Sequence, residues 1–259
     1  MFEKELEAMI LAARKASGEI MTIYRKGFHV SVKEDDSPLT DADLASNRVI
    51  RSLLAPFSDT AWLSEEDADD KSRLTKRKLF VVDPLDGTSD FVARDDSFGI
   101  NIALVYDRRP VVSVLAVPAK HQIVYASKGN GSYLIDEGKE PVRLHASDRV
   151  DHLVWLTSKT HCSEEDRKII ERNRERIEKV VPLGASTKAV EIARGTADVS
   201  IRYTDSTKEW DICASDLVVT EAGGIVVDVN GNPFVYNRED VYNRDGYCMF
   251  NRKENLKLL

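Results

Sequence analysis

Apolar residues Leu6, Met9, Ile10, Ala13, Ala16, Ile20, Met21 and Tyr24 recur at three- and four-residue spacing. That rhythm predicts a long helix with one apolar face, and Gly27 is placed to end it. A second helix is expected from Thr40, with Leu44, Val49, Ile50, Leu53 and Leu54 on its inner side. The stretch DADDKSRLTKRK (67–78) is so charged that it reads as an exposed loop. From residue 79 the rhythm shortens. LFVV, INIALV (100–105), VVSVLAV (111–117) and IVYAS (123–127) are β-rich runs broken by the turns DRRP and GNGS, the pattern of an antiparallel sheet. LVWLT (153–157) opens a second half whose elements alternate. A charged helix near 163–178, a strand VVPL, a helix near 186–194, a strand ADVSIR, a helix from Trp210 to Ala222 and a strand IVVDV follow in turn. No repeat or flexible linker separates 1–150 from 151–259, so the two halves are expected to pack as one unit, an N-terminal lobe and a C-terminal α/β lobe.

The chain has 259 residues, 42% hydrophobic and 31% charged, enough for a soluble protein with a sizeable core. Its net charge of −7 excludes a general basic surface for a nucleic-acid polymer. A small anionic substrate would need a local cation. Cys162, Cys213 and Cys248 are odd in number and contain no CxxC pair, which argues against a disulfide framework and for a reducing compartment. No apolar run approaches the roughly 18 residues of a membrane span, and MFEKELEAMILAARKASGEIM lacks a signal-peptide core. A mature cytoplasmic protein, monomeric or homodimeric and without a membrane partner, is the expectation.

Among candidate sites, VVDPLDGTSDF (81–91) asks most. Two carboxylates, Asp83 and Asp86, lie three residues apart at the end of an apolar run. Carboxylates are the hard ligands that Mg²⁺ prefers, and a proline-stiffened turn can aim both, with the Leu85 carbonyl between them, at one point. Gly87 allows close approach to the backbone. A helix starting at Thr88 would offer free N–H groups to a phosphate. An ordinary polar turn fits the same residues. WLSEED (62–67) places Glu65 at a possible strand end, although an acidic triplet is commonly just a solvated face. Thr40 and Asp43 form a capping-box pattern, and Asp43 could instead orient a hydroxyl or water. Asp211 sits in the first turn of a helix, where an acid favours the macrodipole or serves as a further ligand. Ser186, Thr187 and Lys188 at a helix start suit an anion, or Ser186 is an N-cap and Lys188 merely exposed. The histidines at 29, 121, 145, 152 and 161 show no HExxH spacing, and GxSxG, GxxxxGK[ST] and GxGxxG are absent.

In combination, LSEED, DPLDGTSDF and WDICASDLVVTEAGG, with TDAD near residue 43 and GTADV at 195–199, resemble the inositol monophosphatase superfamily over nearly the whole chain. The resemblance implies a layered α/β/α/β/α sugar-phosphatase fold and a Mg²⁺-dependent, lithium-sensitive phosphomonoesterase using two or three ions. It assigns Glu65, Asp83, Asp86, Asp211 and the Leu85 carbonyl as metal ligands. Catalysis is assigned to Asp43, Glu65 and Thr88, with Asp43 and Thr88 activating the attacking water. Gly87, Thr88, Ser186, Lys188 and Asp211 are assigned to a small phosphorylated substrate. Thr204 stands where inositol monophosphatases carry a glutamate, seven residues before the WD aspartate. GASTK, Arg202 and Thr207 instead resemble the 3′(2′),5′-bisphosphate nucleotidase branch, which implies release of the 3′-phosphate of adenosine 3′,5′-bisphosphate. Inositol 1-phosphate or fructose 1,6-bisphosphate is the alternative substrate, and a non-catalytic binding protein on the same fold is the rival of a different class.

Overall fold

The first helix, α1 (Glu3–Lys26), buries Met9, Ala12, Ala13, Ala16 and Ile20, the apolar stripe of the sequence, and Gly27 ends it with φ 103°. It opens a computed structural model that describes residues 2–33 and 36–259. A hairpin, β1 (Val30–Val32) and β2 (Pro38–Thr40), leads into α2 (Asp41–Leu54). Then come β3 (Ala61–Ser64), β4 (Lys78–Asp86) and the short α3 (Thr88–Val92). β5 (Gly99–Tyr106), β6 (Arg109–Val117), β7 (Gln122–Ser127), β8 (Gly131–Asp136) and β9 (Val142–Arg143) complete the first half. The second half runs β10 (Leu153–Thr157), α4 (Glu164–Arg172), β11 (Ile177–Pro182), α5 (Thr187–Ala193), β12 (Val199–Arg202) and α6 (Glu209–Glu221). It closes with β13 (Ile225–Val227) and β14 (Tyr247–Phe250).

Strands β3 to β9 form a seven-stranded sheet in sequence order. It is antiparallel except for the parallel pair β3–β4. A five-stranded mixed sheet has the order β11-β10-β12-β14-β13, with β10 parallel to both neighbours. The strands of the first sheet are apolar on both faces because both are covered. Ile100, Ile102 and Leu104 of β5 join the cluster under α1 and α2. Ala103 and Val105 point the other way, into a cluster shared with Ala189 and Ile192 of α5 and Ile212 and Val218 of α6. Helix α6 is therefore flanked by sheet on two sides, and it is apolar nearly all round, as such a helix must be. Trp155, Val199, Cys248 and Phe250 of the second sheet pack with Ile169 of α4 and Leu258 on the outer side. The layers are helix, sheet, helix, sheet, helix.

Two sequence expectations need correction. The charged segment 67–78 is not wholly exposed: it forms a 3₁₀ turn at Ser72–Thr75, and its last residue starts β4. Arg73 is 1% exposed. Its guanidinium is satisfied by Asp69 at 3.0 and 2.8 Å and by Asn237 at 2.9 Å, so pairing rather than hydropathy sets its burial. The helix expected near 163–178 stops at Arg172, because Ile177 already pairs with Leu153 in β11. Strand pairing there overrides helix-compatible residues. β8, β9 and β14 were not marked by an apolar run of their own.

Candidate active site

β4 and β5 diverge at the end that matters. Their register shifts between Asp83 and Asp86, since Pro84 has no N–H to give the ladder. The resulting bulge turns consecutive side chains to new directions. Asp83 Oδ1 accepts the Leu85 N–H at 3.1 Å. Asp86 Oδ2 accepts the Asn101 amide at 3.1 Å and the Ser186 backbone N–H at 2.6 Å. Gly87 takes φ 85°, and a Cβ there would meet the Ala185 Cβ at 3.0 Å, so glycine is required by conformation and space together. Thr88 then starts α3.

From the other half, Asp211 is aimed by its own helix start: its Oδ2 accepts the Lys208 N–H at 2.6 Å. One oxygen each from Asp83, Asp86 and Asp211 lies within 4.8 Å of the others. Burial raises all three pKa values. Asp83 is raised further by Glu65, Asp86 and Asp211. Asp86 is partly relieved by Lys188, and Asp211 is pushed up to about 8, with Asp86 and Glu65 adding to its burial. The protein thus gathers more negative charge than its own cations offset. Hard oxygen donors in uncompensated proximity fit Mg²⁺ better than they fit a purely structural role.

Glu65 follows β3 and faces the same cavity, where Lys33 Nζ bridges it at 2.7 Å to Glu66 at 2.6 Å. Burial lifts Glu66 to about 7 despite the lysine. Behind the cavity Asp43 is fully buried. Its Oδ2 accepts the Thr40 N–H at 2.8 Å and hydroxyl at 2.5 Å, and its Oδ1 accepts the Thr88 hydroxyl at 3.0 Å. The capping role and the hydroxyl-orienting role therefore coexist, one oxygen each.

The cavity measures about 470 Å³ and is lined by Glu65, Asp83, Leu85, Asp86, Gly87, Thr88, Ser186, Lys188 and Asp211. The structure brings every site residue expected from the sequence to this place, Asp43 through Thr88. Two local readings fail at the start of α5. Ser186 makes no side-chain cap bond, and its hydroxyl is buried without a partner among the described residues. Lys188 is not exposed but 4% accessible. It donates to the carbonyls of Leu183 at 3.2 Å and Ala185 at 2.8 Å, and burial lowers its pKa to about 8. Arg202 also lines the cavity, with Nε 3.3 Å from Asp166 Oδ2. Asn101 was missed. Its signal was a lone amide inside GINIALV, on the face that holds α6. His161 and Tyr247, also lining the cavity, carried no local signal.

Comparison with known proteins agrees with this geometry. The model of the inositol monophosphatase family matches residues 2–256. The chain is 30% identical over 94% of its length to the 3′(2′),5′-bisphosphate nucleotidase CysQ of Aggregatibacter actinomycetemcomitans, covering 91% of that protein. It is also 30% identical to CysQ of Escherichia coli K12, over 93% of this chain and 98% of that one. The crystal structure of CysQ from Bacteroides thetaiotaomicron superposes with a TM-score of 0.85 at 30% identity, covering 98% of this chain and 99% of that chain. Fold and site define a phosphoric monoester hydrolase. The chain belongs to the inositol monophosphatase family.

Proposed function

We propose that the chain is a Mg²⁺-dependent bisphosphate nucleotidase that removes the 3′-phosphate of adenosine 3′,5′-bisphosphate. The observation that carries this reading is the polarity of the cavity. The carboxylate set Asp83, Asp86 and Asp211 shares the cavity with the buried cations Lys188 and Arg202. The relatives named bisphosphate nucleotidases support the same substrate class.

Asp83, Asp86 and Asp211, with Glu65 and the Leu85 carbonyl, would hold the ions. Bound there, Mg²⁺ supplies Lewis-acid stabilisation of charge on the phosphoryl oxygens and leaving alkoxide. The protein's own groups do the rest. The Thr88 hydroxyl lies 3.0 Å from Asp43 Oδ1 and 3.1 Å from the Leu85 carbonyl oxygen; with its proton toward Asp43, the lone pairs of Thr88 Oγ can accept a proton from water in the cavity. Asp43 Oδ1 is then the atom to which a proton can pass. Oδ2, already taken by Thr40, holds the carboxylate in place for that transfer. Gly87 lets the scissile phosphate approach the start of α3. Two protons of the Lys188 ammonium serve carbonyls, leaving a third donor for a second phosphate, beside Arg202.

A panel of adenosine 3′,5′-bisphosphate, inositol 1-phosphate and fructose 1,6-bisphosphate with and without Mg²⁺ tests this. The expected result is Mg²⁺-dependent phosphate release with kcat/KM highest for the adenosine bisphosphate. A higher value for either other substrate would overturn the substrate assignment, and equal rates after chelation would overturn the metal's role.

A further inference from the structure

On the far side of the seven-stranded sheet, a groove of about 590 Å³ runs between α1 and strands β7 and β8. Its helix wall carries Arg14, Gly18, Met21 and Arg25, which share one face at i, i+4, i+7 and i+11. Ile123 and Ile135, cross-strand partners, lie across from them.

Gly18 is the anomaly. It stands well inside a 24-residue helix, where glycine is disfavoured against alanine. A Cβ at Gly18 would find nothing within 4 Å. No close helix crossing and no positive φ accounts for the missing side chain. Its effect is to keep the groove open between the two arginines. The charges point the same way. In a chain of net charge −7, neither Arg14 nor Arg25 has an ion-pair or hydrogen-bond partner among the described residues. His121 and Lys139 also line the groove, against the single carboxylate Glu137. His121 lies 3.2 Å from Glu137, and Lys139 is tied to Asp136 at 3.2 Å.

We propose that this groove is a second binding site, separate from the carboxylate cavity, for a small amphipathic organic anion. Its apolar body would rest on Met21, Ile123 and Ile135, with Gly18 giving it room and Arg14 and Arg25 receiving its sulfonate, phosphate or carboxylate. The volume lies in the range of small-ligand pockets, about 300–1,000 Å³. None of the groove's apolar residues is among the large exposed hydrophobics of the surface, which favours a small molecule over a protein segment.

The test uses the dye 8-anilinonaphthalene-1-sulfonate on the folded, Mg²⁺-loaded protein, with Tm measured for every variant. One saturable site per chain is expected. Arg14→Gln with Arg25→Gln should weaken it at least about tenfold. The neutral analogue N-phenyl-1-naphthylamine should not respond to that change. Gly18→Leu should abolish dye binding while Tm rises by roughly 2–4 °C and phosphate release is unchanged. Absence of saturable binding below about 1 mM, or dye binding by Gly18→Leu equal to wild type, overturns the proposal. So does sedimentation showing that Gly18→Leu dissociates a dimer, since a second copy would then be the occupant.

Discussion

The N-termini of α2 and α6 are built by one local device and do different things. In each, the third helical residue is an aspartate whose Oδ2 accepts the backbone N–H just before the helix, from Thr40 at 2.8 Å and from Lys208 at 2.6 Å. That bond fixes one oxygen and thereby aims the other. In α2 the other oxygen meets a hydroxyl, that of Thr88. In α6 the carboxylate brings an oxygen within 4.8 Å of one oxygen each of Asp83 and Asp86. Asp43 is raised by burial but eased by its three hydrogen bonds. Asp211, buried and with Asp86 and Glu65 adding to that effect, is pushed up to about 8. The cap sets direction; the tertiary neighbours set the chemistry.

The strongest way to break this comparison is Asp211→Asn. The amide oxygen can still accept from Lys208, so the helix start should survive. An anionic ligand is lost, and turnover should fall about a thousandfold, the several kcal/mol that a metal's charge stabilisation supplies. Without metal the variant's Tm should be no lower than wild type, since a neutral amide avoids the cost of burying or protonating that carboxylate. The rise in Tm that Mg²⁺ gives the wild type should disappear. Near wild-type turnover at saturating Mg²⁺ would reduce Asp211 to a cap.

At α2 the expected loss is smaller and of another kind. Thr88→Val should lower kcat about a hundredfold, within the usual range for general acid–base help, with KM changed less than about threefold. Asp43→Asn should cost about as much. The double variant should cost little more than either, because both act on one proton path. The Mg²⁺-linked rise in Tm should persist in both. A pure KM effect would make Thr88 only a substrate contact.

How much of this was readable beforehand follows from the same residues. The apolar rhythm of α1 and the runs of β4 to β7 are local signals, and they matched. DPLDG was legible as a candidate because a proline-stiffened turn with two acids ends an apolar run within five residues. The sequence could not choose between cap and site at Asp43, because the structure uses both oxygens. Arg73, in the charged segment, was misread because a charged side chain reads as exposed unless its distant partner, here Asn237, is known. For Lys188 exposed and inward readings both stood open, and the nearby carbonyls of Leu183 and Ala185 hold it inward. β14 was invisible because its burial depends on β12 and β13 flanking it.

The buried cations sharpen the contrast with the carboxylates. Lys188→Met should lower kcat/KM for adenosine 3′,5′-bisphosphate by about ten- to a hundredfold, the worth of one charged hydrogen bond, and much less for adenosine 3′-monophosphate. The lysine's pKa is lowered by burial to about 8. It is charged below that pH and neutral above, so the wild type's preference for the bisphosphate should fall as pH rises from 7 to 9. The variant's preference should stay flat. Because the change also strands two carbonyls, equal losses on both substrates with a reduced Tm would make Lys188 a scaffold residue.

The smallest effect belongs to a third copy of the device, at α4. There Asp166 Oδ2 accepts the Ser163 N–H at 3.0 Å, Oδ1 accepts the Tyr203 N–H at 2.7 Å, and Arg202 Nε lies 3.3 Å away. Here the second oxygen, Oδ1, meets a backbone donor instead of a hydroxyl or other acids, and the cation lies against Oδ2, the oxygen that also takes the cap bond. Asp166→Asn keeps an acceptor for only one of the two N–H groups and removes the charge that faces Arg202. A loss of about 1–2 kcal/mol is expected, a Tm lower by roughly 3–6 °C. Turnover of adenosine 3′-monophosphate should be unchanged. The bisphosphate should lose a few-fold in kcat/KM, because Arg202 is less firmly held but still present. Mg²⁺ should raise Tm as in the wild type, which separates this aspartate from Asp211. Loss of the Mg²⁺ response would mean that α4 is coupled to the carboxylate wall, and that three like helix starts do not have three separate roles.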